Sequence, residues 1–491
     1  MKNYTADKII DAQGKPVYPG FIDAHCHFYN YGRFLQEVNL VGTKSYAEVL
    51  EKLLAHRQEH PEEPWIVGRG WDQNDWAELE FPNKSPLDSL FPNTPVYLTR
   101  IDGHAALVNQ KALEQAGIAF PPQAVEGGLI EVKDGQLTGI LVDNACDLVS
   151  AKIPAPSAKA RQKALFEAQE KCFAVGLTSV HDAGLPRQVL ETIAQMHQEQ
   201  TLKMRIYAMI SGEGPDLDYY LQKGPQKGDF LSIGSVKLYA DGALGSRGAC
   251  LLAPYADRPK ETGFLLASPE KLEARIQEIG AKGFQVNTHC IGDSANRLVL
   301  SIYGKILKGK NDRRWRIEHA QVIHPQDFAL FKQYQIIPSV QPTHATSDMF
   351  WAADRLGAER LRGAYAWKSL LVQNQVLATG SDFPVEDINP LYGFHAAVAR
   401  QNAEGKPARG FQMENALSRE EALRAMTAWA AYAAFEEKTK GSIQKGMVAD
   451  FVLMENDLMQ APLEALRTIK VRQTYLNGER VYQPLKKGDK E

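Results

Sequence analysis

The sequence predicts an α/β protein: a (β/α)8 TIM-type barrel with an inserted lobe and a small C-terminal β-sandwich domain. Three observations carry that expectation. Eight short β-rich runs alternate with long helical stretches, several runs are almost unbroken in apolar residues, and chemistry-bearing side chains gather at their C-terminal ends. Strand–helix alternation at this count favours a closed barrel over an open sheet. Apolar runs are what parallel strands buried on both faces require. A chain of 491 residues also exceeds one compact core, so a large domain with one or two smaller ones is expected.

The runs fall at residues 20–27 (GFIDAHCH), 178–183, 203–210, 235–241, 285–290, 316–320, 336–341 and 376–382. Helices are read between them, for example over 158–173 ahead of the second run and 269–282 ahead of the fifth. Two stretches break the alternation. Between the first and second runs, residues 128–131 and 137–141 flank Lys-Asp-Gly-Gln, an Asp-Gly hairpin signal. Trp65, Trp71, Trp76 and Tyr97 cluster in the same stretch. Residues 62–155 are therefore read as a lobe over the barrel mouth, and 17–61 with 156–435 as the barrel. Near the C-terminus, short strand-like runs with Lys-Gly and Asn-Gly turns predict a small β-sandwich from 1–16 and 436–491. The charged tail KKGDKE is expected to fray.

Composition narrows the class without naming it. Apolar residues make up 44% and charged residues 23%, and 56 basic against 59 acidic side chains give a net charge of −3. Neither nucleic acid nor an anionic membrane is expected as a partner. The longest near-apolar stretch, 425–435, is too short to span a bilayer and reads as a buried Ala-rich helix. Cys26, Cys146, Cys172, Cys250 and Cys290 are scattered without a CxxC pair, which fits a reducing compartment. MKNYTADKII lacks the apolar core of a signal peptide, so a cytoplasmic location is expected from this chain.

His25 and His27 are two apart, so on a strand they share one face while Cys26 takes the other. Lys237, His289, His319 and Asp382 stand near the ends of the fourth, fifth, sixth and eighth runs. A barrel builds its active site at the C-terminal face from several strand ends, so six ligand-capable groups converge on one mouth. An HxH pair alone would mean little; its occurrence with the other four is what points to a metal. Imidazoles with a carboxylate suit Zn2+ first, with Fe, Mn or Ni also compatible, as one or two ions. Cys26, Cys290 and Glu318 neighbour these residues and are assigned to the opposite faces, as packing or support.

The stretches PGFIDAHCHF, RIDGHAALVNQKAL, TSVHDAG, VKLYADGALGSRGA, NTHCIGD, RIEHAQ, SVQPTHATSDMFWAADRLG, TGSDFPVEDINPLYG and GSIQKGMVADFVLM cover nearly the whole chain. Together they resemble the amidohydrolase superfamily, within it the branch containing the N-substituted formamide deformylases (amidohydrolase family 3). The resemblance implies a metal centre of His25, His27, His289, His319 and Asp382. It places Lys237 where many members have a lysine that is carboxylated to bridge two ions. Members carry a longer segment ahead of PGFIDAH, so the N-terminal part of the sandwich is expected to be short and the location stays open.

The chemistry expected is hydrolysis of a non-peptide C–N bond, in an amide, N-acyl or N-formyl substrate, by metal-activated water. Asp382 is placed to act as metal contact and general base. His104, Asp102, His181 and His344 are candidates for contacts to the reacting group or its supports. Arg247 either meets substrate or pins the loop after the fourth run. Trp71 and Trp76 either line a pocket or pack the lobe. Two alternatives stand beside this reading: a mononuclear deaminase of an amino-substituted ring, and an inactive barrel serving as a binding scaffold. The partner expected is a small-molecule amide, with a homodimer as the candidate assembly.

Overall fold

The computed structural model describes residue 6 and residues 8–484, so the charged tail lies outside the described residues. Each of the eight runs holds one strand of a parallel barrel. The strands are β1 (Phe21–Cys26), β2 (Leu177–Leu185), β3 (Arg205–Ser211), β4 (Leu231–Tyr239), β5 (Gln285–Cys290), β6 (Arg316–His319), β7 (Ile337–Val340) and β8 (Ala378–Thr379). They pair in chain order from β1 to β8.

No ladder joins β8 to β1; a seam of single bonds closes the ring instead. The Asp382 N–H donates to the His25 carbonyl at 2.8 Å. The buried Asp23 carboxylate accepts from the His25 N–H (3.1 Å), the Ser381 N–H (3.1 Å) and the Ser381 hydroxyl (2.6 Å). Gly380 permits the close approach, because a Cβ there would sit 2.4 Å from the His25 nitrogen.

Helices cover the strands where capping and apolar spacing coincide. Ser157 caps Ala158–Ala174 by accepting the Ala160 N–H, and Ser268 does the same for Pro269–Ala281, which starts on proline. Their buried residues, including Leu165, Cys172, Ile276 and Ile279, join the strand side chains in one core. The apolar stretch 425–435 is not one helix. Two short helices, Arg419–Ala425 and Ala428–Ala433, break at Met426, whose carbonyl accepts the Ile22 N–H at 2.9 Å. Ala430, Ala431 and Ala433 then pack closely on Ile22, Ala24, Ile337 and Ala378. No helix among the described residues is long and apolar enough to cross a membrane, and all five cysteines are free.

Between β1 and β2 lies a six-stranded mixed sheet with an apolar cluster on each of its two sides. Its first strand is Val38–Asn39, paired in parallel with Ile66–Trp71 across the helix Tyr46–Glu59. The lobe's secondary structure thus reaches back past residue 62, through a strand too short to leave a sequence signal. The Asp134-Gly135 turn, both residues at positive φ, joins Gly128–Lys133 to Gln136–Asp143. Trp71 and Trp76 are buried in the lobe's own core, their indole N–H groups donating to Leu98 and Thr43 carbonyls.

The small domain is a four-stranded antiparallel sheet in the order Val17–Pro19, Phe451–Met454, Val471–Leu476, Glu479–Tyr482. Its buried residues Val452, Met454 and Leu476 belong to the barrel's core cluster, and Thr474 donates to the Phe173 carbonyl at 2.6 Å. The barrel helix Ala158–Ala174 therefore supplies the layer against which this sheet packs.

Gly380→Ala should destabilise the protein by on the order of 1–3 kcal/mol, since the clash is with backbone that cannot yield cheaply. Chemical denaturation would measure this, and a midpoint equal to wild type would show that the seam tolerates being pushed apart.

Candidate metal centre

Four histidines meet at the C-terminal ends of β1, β5 and β6, and each has one ring nitrogen occupied by a fixed oxygen. His25 Nδ1 lies 2.5 Å from Glu318 Oε2, and His27 Nδ1 lies 3.0 Å from the Ala183 carbonyl. His319 Nδ1 lies 2.7 Å from Gln341 Oε1, and His289 Nε2 lies 3.3 Å from the Gly242 carbonyl. An oxygen acceptor requires N–H on the ring atom facing it, so the opposite nitrogen of each neutral ring carries a lone pair. This arrangement of outer oxygens fixing ring orientation is the one that metal-ligating histidines use.

Asp382 faces those lone pairs. Its Oδ1 lies 3.2 Å from His27 Nε2 and 3.5 Å from His25 Nε2. Because the His27 proton is committed to Ala183, the short contact brings two electron-rich atoms together without a hydrogen between them. Asp382 Oδ1 is accordingly a buried oxygen with no hydrogen-bond partner. Donor atoms of His25, His319 and Asp382 all lie within 4.8 Å of one another. A divalent cation satisfies this donor set where protons cannot, so the residues fit a metal. Lys237 completes the group, its Nζ 3.0 Å from His25 Nε2.

Burial sets the protonation states. It pushes His25, His289 and His319 below the usual imidazole range, with neighbouring Lys237 or other imidazoles adding to the effect. Burial likewise lowers Lys237. For Asp382 burial works the other way, yet the imidazoles of His27, His25 and His319 packed around it outweigh it and hold the carboxyl well below its ordinary value. Neutral imidazoles around an ionised carboxylate are the states a metal requires.

Two of these residues sit in strained backbone. His319 has φ 72° and Asp382 φ 63°, in the left-handed region that costs a non-glycine residue about 1–3 kcal/mol. The turn at His319 ends the strand's alternation, so Glu318 and His319 both reach the barrel interior. Glu318 does not face the opposite side, as the alternation suggested; it is fully buried and orients His25. Cys26 and Cys290 are buried in packing, their thiols against the His181 and Thr288 carbonyls.

The centre opens into a cavity of ≈ 590 Å³. His289, His319 and Asp382 line it from the barrel, His344 from the helix Pro342–Asp348 after β7, and Asp102 and His104 from the lobe. His104 Nδ1 lies 2.6 Å from Asp143 Oδ1, and its ring centroid is 4.9 Å from that of His289. Gly242 and Gly248 make room for the Asp143 carboxylate, since a Cβ at either would come within 2.2 Å of it. Burial alone would lower the His104 pKa, but Asp143 and Asp102 raise it overall. Asp102 also accepts the His104 N–H at 3.0 Å and pairs with Arg100 at 2.6 Å.

Other expected residues lie elsewhere. β2 continues to Leu185, so His181 is mid-strand rather than at the mouth. It is buried beside Arg316, whose Nη1 lies 3.1 Å from its Nδ1, and does not line the cavity. Arg247 pins the loop after β4 through Asp257 at 2.7 Å. Gln341, Asp143 and Arg100 were missed from sequence. Gln341 had a signal, being the last residue of the seventh run and so at the barrel mouth; the other two had none.

Residues 8–482 match the family described as the amidohydrolase family. Protein LONG AFTER FAR-RED 3 of Arabidopsis thaliana is 35% identical over 500 residues, covering 98% of this chain and 85% of that protein. N-substituted formamide deformylase of Arthrobacter pascens is 25% identical over 505 residues, covering 97% and 90%. Among solved structures, an uncharacterized metal-dependent hydrolase from Pyrococcus horikoshii superposes with a TM-score of 0.74 at 27% identity, covering 92% of this chain and 89% of that one.

The geometry predicts that the His25→Ala, His27→Ala double variant, folded, loses most of the transition metal carried by the wild type. Elemental analysis of both proteins decides it; equal metal content would place the ion elsewhere.

Proposed function

Since this chain belongs to the amidohydrolase family of metal-dependent hydrolases, we propose that it cleaves a non-peptide C–N bond in a small N-acyl or N-formyl amine. The observation that carries this is the convergence of imidazole lone pairs on the unpartnered Asp382 Oδ1 at the floor of a cavity large enough for a small ligand. His25, His27, His289, His319 and Asp382 would hold the ion, for which Zn2+ suits the donor set best.

When bound, such an ion would supply Lewis acidity and lower the pKa of a water towards neutral. The chain's own residues do the rest. Asp382 is the fixed carboxylate among neutral imidazoles, so it would serve as the general base that accepts a proton and returns it to the leaving amine. Glu318, Ala183 and Gln341 keep the rings from rotating while this happens. His104, held through Nδ1 by Asp143, has its other nitrogen free for the substrate in the cavity. Lys237, its pKa lowered by burial and its Nζ next to His25, is suited to carboxylation and to bridging two ions. The N-substituted formamide deformylase supports the choice of N-formyl amines among the substrates to test.

Metal-loaded enzyme should release amine from members of an N-formyl and N-acyl amine panel. Ammonia release from aminated rings instead would select the deaminase reading, and no turnover on either panel the scaffold reading. Asp382→Asn, which keeps one ligand oxygen and loses basicity, should lower kcat by about 10²–10⁴-fold in protein that retains metal. Near-normal kcat with metal bound would assign the base elsewhere. Lys237→Ala should lose at least one metal equivalent and regain part of its activity with acetate; full metal content in the variant would refute the bridging role.

A further inference from the structure

The cavity lining carries both charged and apolar side chains. Seven of its lining side chains are carboxylates and one is a guanidinium. That guanidinium, Arg100, is already engaged: it pairs with Asp72 and Asp102 and donates Nε to Gln73 at 2.8 Å. Asp382 belongs to the metal centre, and Asp75 faces Lys44 at the exposed rim, 3.9 Å away. Asp348, Glu386 and Asp387 remain, on the helix after β7 and the loop after β8, with no lysine or arginine among the lining residues left to meet them.

Asp348 and Glu386 are held in place by neutral groups. Asp348 Oδ2 accepts from the Tyr365 hydroxyl (2.8 Å) and Gln321 Nε2 (3.3 Å). Glu386 Oε1 accepts from the Ser347 hydroxyl at 2.7 Å. Each keeps a second oxygen without a hydrogen-bond partner among the described residues. Burial raises both carboxyls, Asp348 to about 7, against the lowering effect of His344 on both and of Arg467 on Glu386, so a cation bound beside them would favour their charged forms. A separate observation points to a ligand here. His344, the imidazole among these carboxylates, is 9% exposed and lines the cavity, yet its Nε2 has no hydrogen-bond partner. That atom lies 3.9 Å from Asp382 Oδ2, and the ring stacks on His319 with centroids 5.8 Å apart. The acidic wall therefore begins one side chain from the metal centre. Tyr31, Phe34, Leu35, Val41 and Leu244 add apolar lining.

We propose that Asp348, Glu386 and His344 form a subsite for a protonated amine, so the preferred substrate is an N-acyl amine with an apolar spacer ending in an ammonium group. The inference rests on the proposed hydrolysis for its acyl part and on the cavity wall for its charge. Asp348 and Glu386 take the ammonium protons as hydrogen bonds, with Asp387 adding field at the rim. A carboxylate-ended substrate meets repulsion at the same place.

The test compares N-acetyl-1,5-diaminopentane, N-acetylpentylamine and 6-acetamidohexanoate with metal-loaded wild type. Expected kcat/KM falls in that order, by about tenfold or more between the first two, the size of one hydrogen-bonded charge contact. Glu386→Gln and Asp348→Asn should each shrink the ratio of the first to the second by about tenfold, through KM. Equal or inverted preference in the wild type overturns the subsite whether or not either variant folds, as does an unchanged ratio in folded variants. Calorimetry with 1,5-diaminopentane against 1,5-pentanediol reads the subsite apart from catalysis, and only the diamine should bind. Diamine binding without hydrolysis of any amide would sink the proposed reaction and leave the subsite standing. Hydrolysis without charge preference would do the reverse.

Discussion

The closure of β8 against β1 is the constraint on which the site depends. Asp23 collects three donors from the two strands, and Gly380 removes the side chain that would hold them apart. A parallel barrel of eight strands brings its first and last ends together only if this seam forms. His25 and His27 are on one side of it and Asp382 on the other, so the carboxylate meets the imidazoles only when the ring is shut. The seam is polar, buried and fully hydrogen-bonded at Asp23, which gives it directionality that apolar packing lacks.

Above the seam, electrostatics follows from burial. Removing imidazoles from water favours their neutral forms, and neutral rings are the ones that coordinate metal. The same burial would protonate a carboxylate standing alone. Asp382 escapes because the rings around it favour its charged form. Glu318, behind His25, is kept ionised in the same way: burial raises its pKa but His25, Arg316 and Lys237 bring it down again. The cost of burying these charges is borne by a barrel core that is otherwise continuous and apolar.

Much of this was legible in the sequence, for identifiable reasons. Strands buried on both faces must be apolar, so the eight runs stood out, and HxH spacing gave His25 and His27 a common side. Reading failed where the backbone left its regular period or where partners were distant in the chain. The left-handed turn at His319 brought Glu318 inward against the expected alternation. His181 looked like a strand-end residue because β2 runs further than its apolar core. Trp71 and Trp76 carried a double meaning that only the lobe's sheet resolved in favour of packing. Asp143 had no signal at all, because its role depends on two glycines about a hundred residues further on.

The lobe between β1 and β2 also sets the order in which the chain can be assembled. Ladder and side-chain bonds from β1 reach partners about 156 residues later, as from His27 to Ala183. At a synthesis rate of roughly 5–20 residues per second, β1 waits on the order of ten seconds for its first neighbour. During that interval Phe21–Cys26, every residue of which is buried in the finished barrel, has no parallel strand to pair with. The lobe, with two apolar clusters of its own, can condense in the meantime. Co-translational folding of this protein should therefore begin in the middle of its N-terminal third, with the first barrel strand held in waiting and exposed to chaperones until the second arrives.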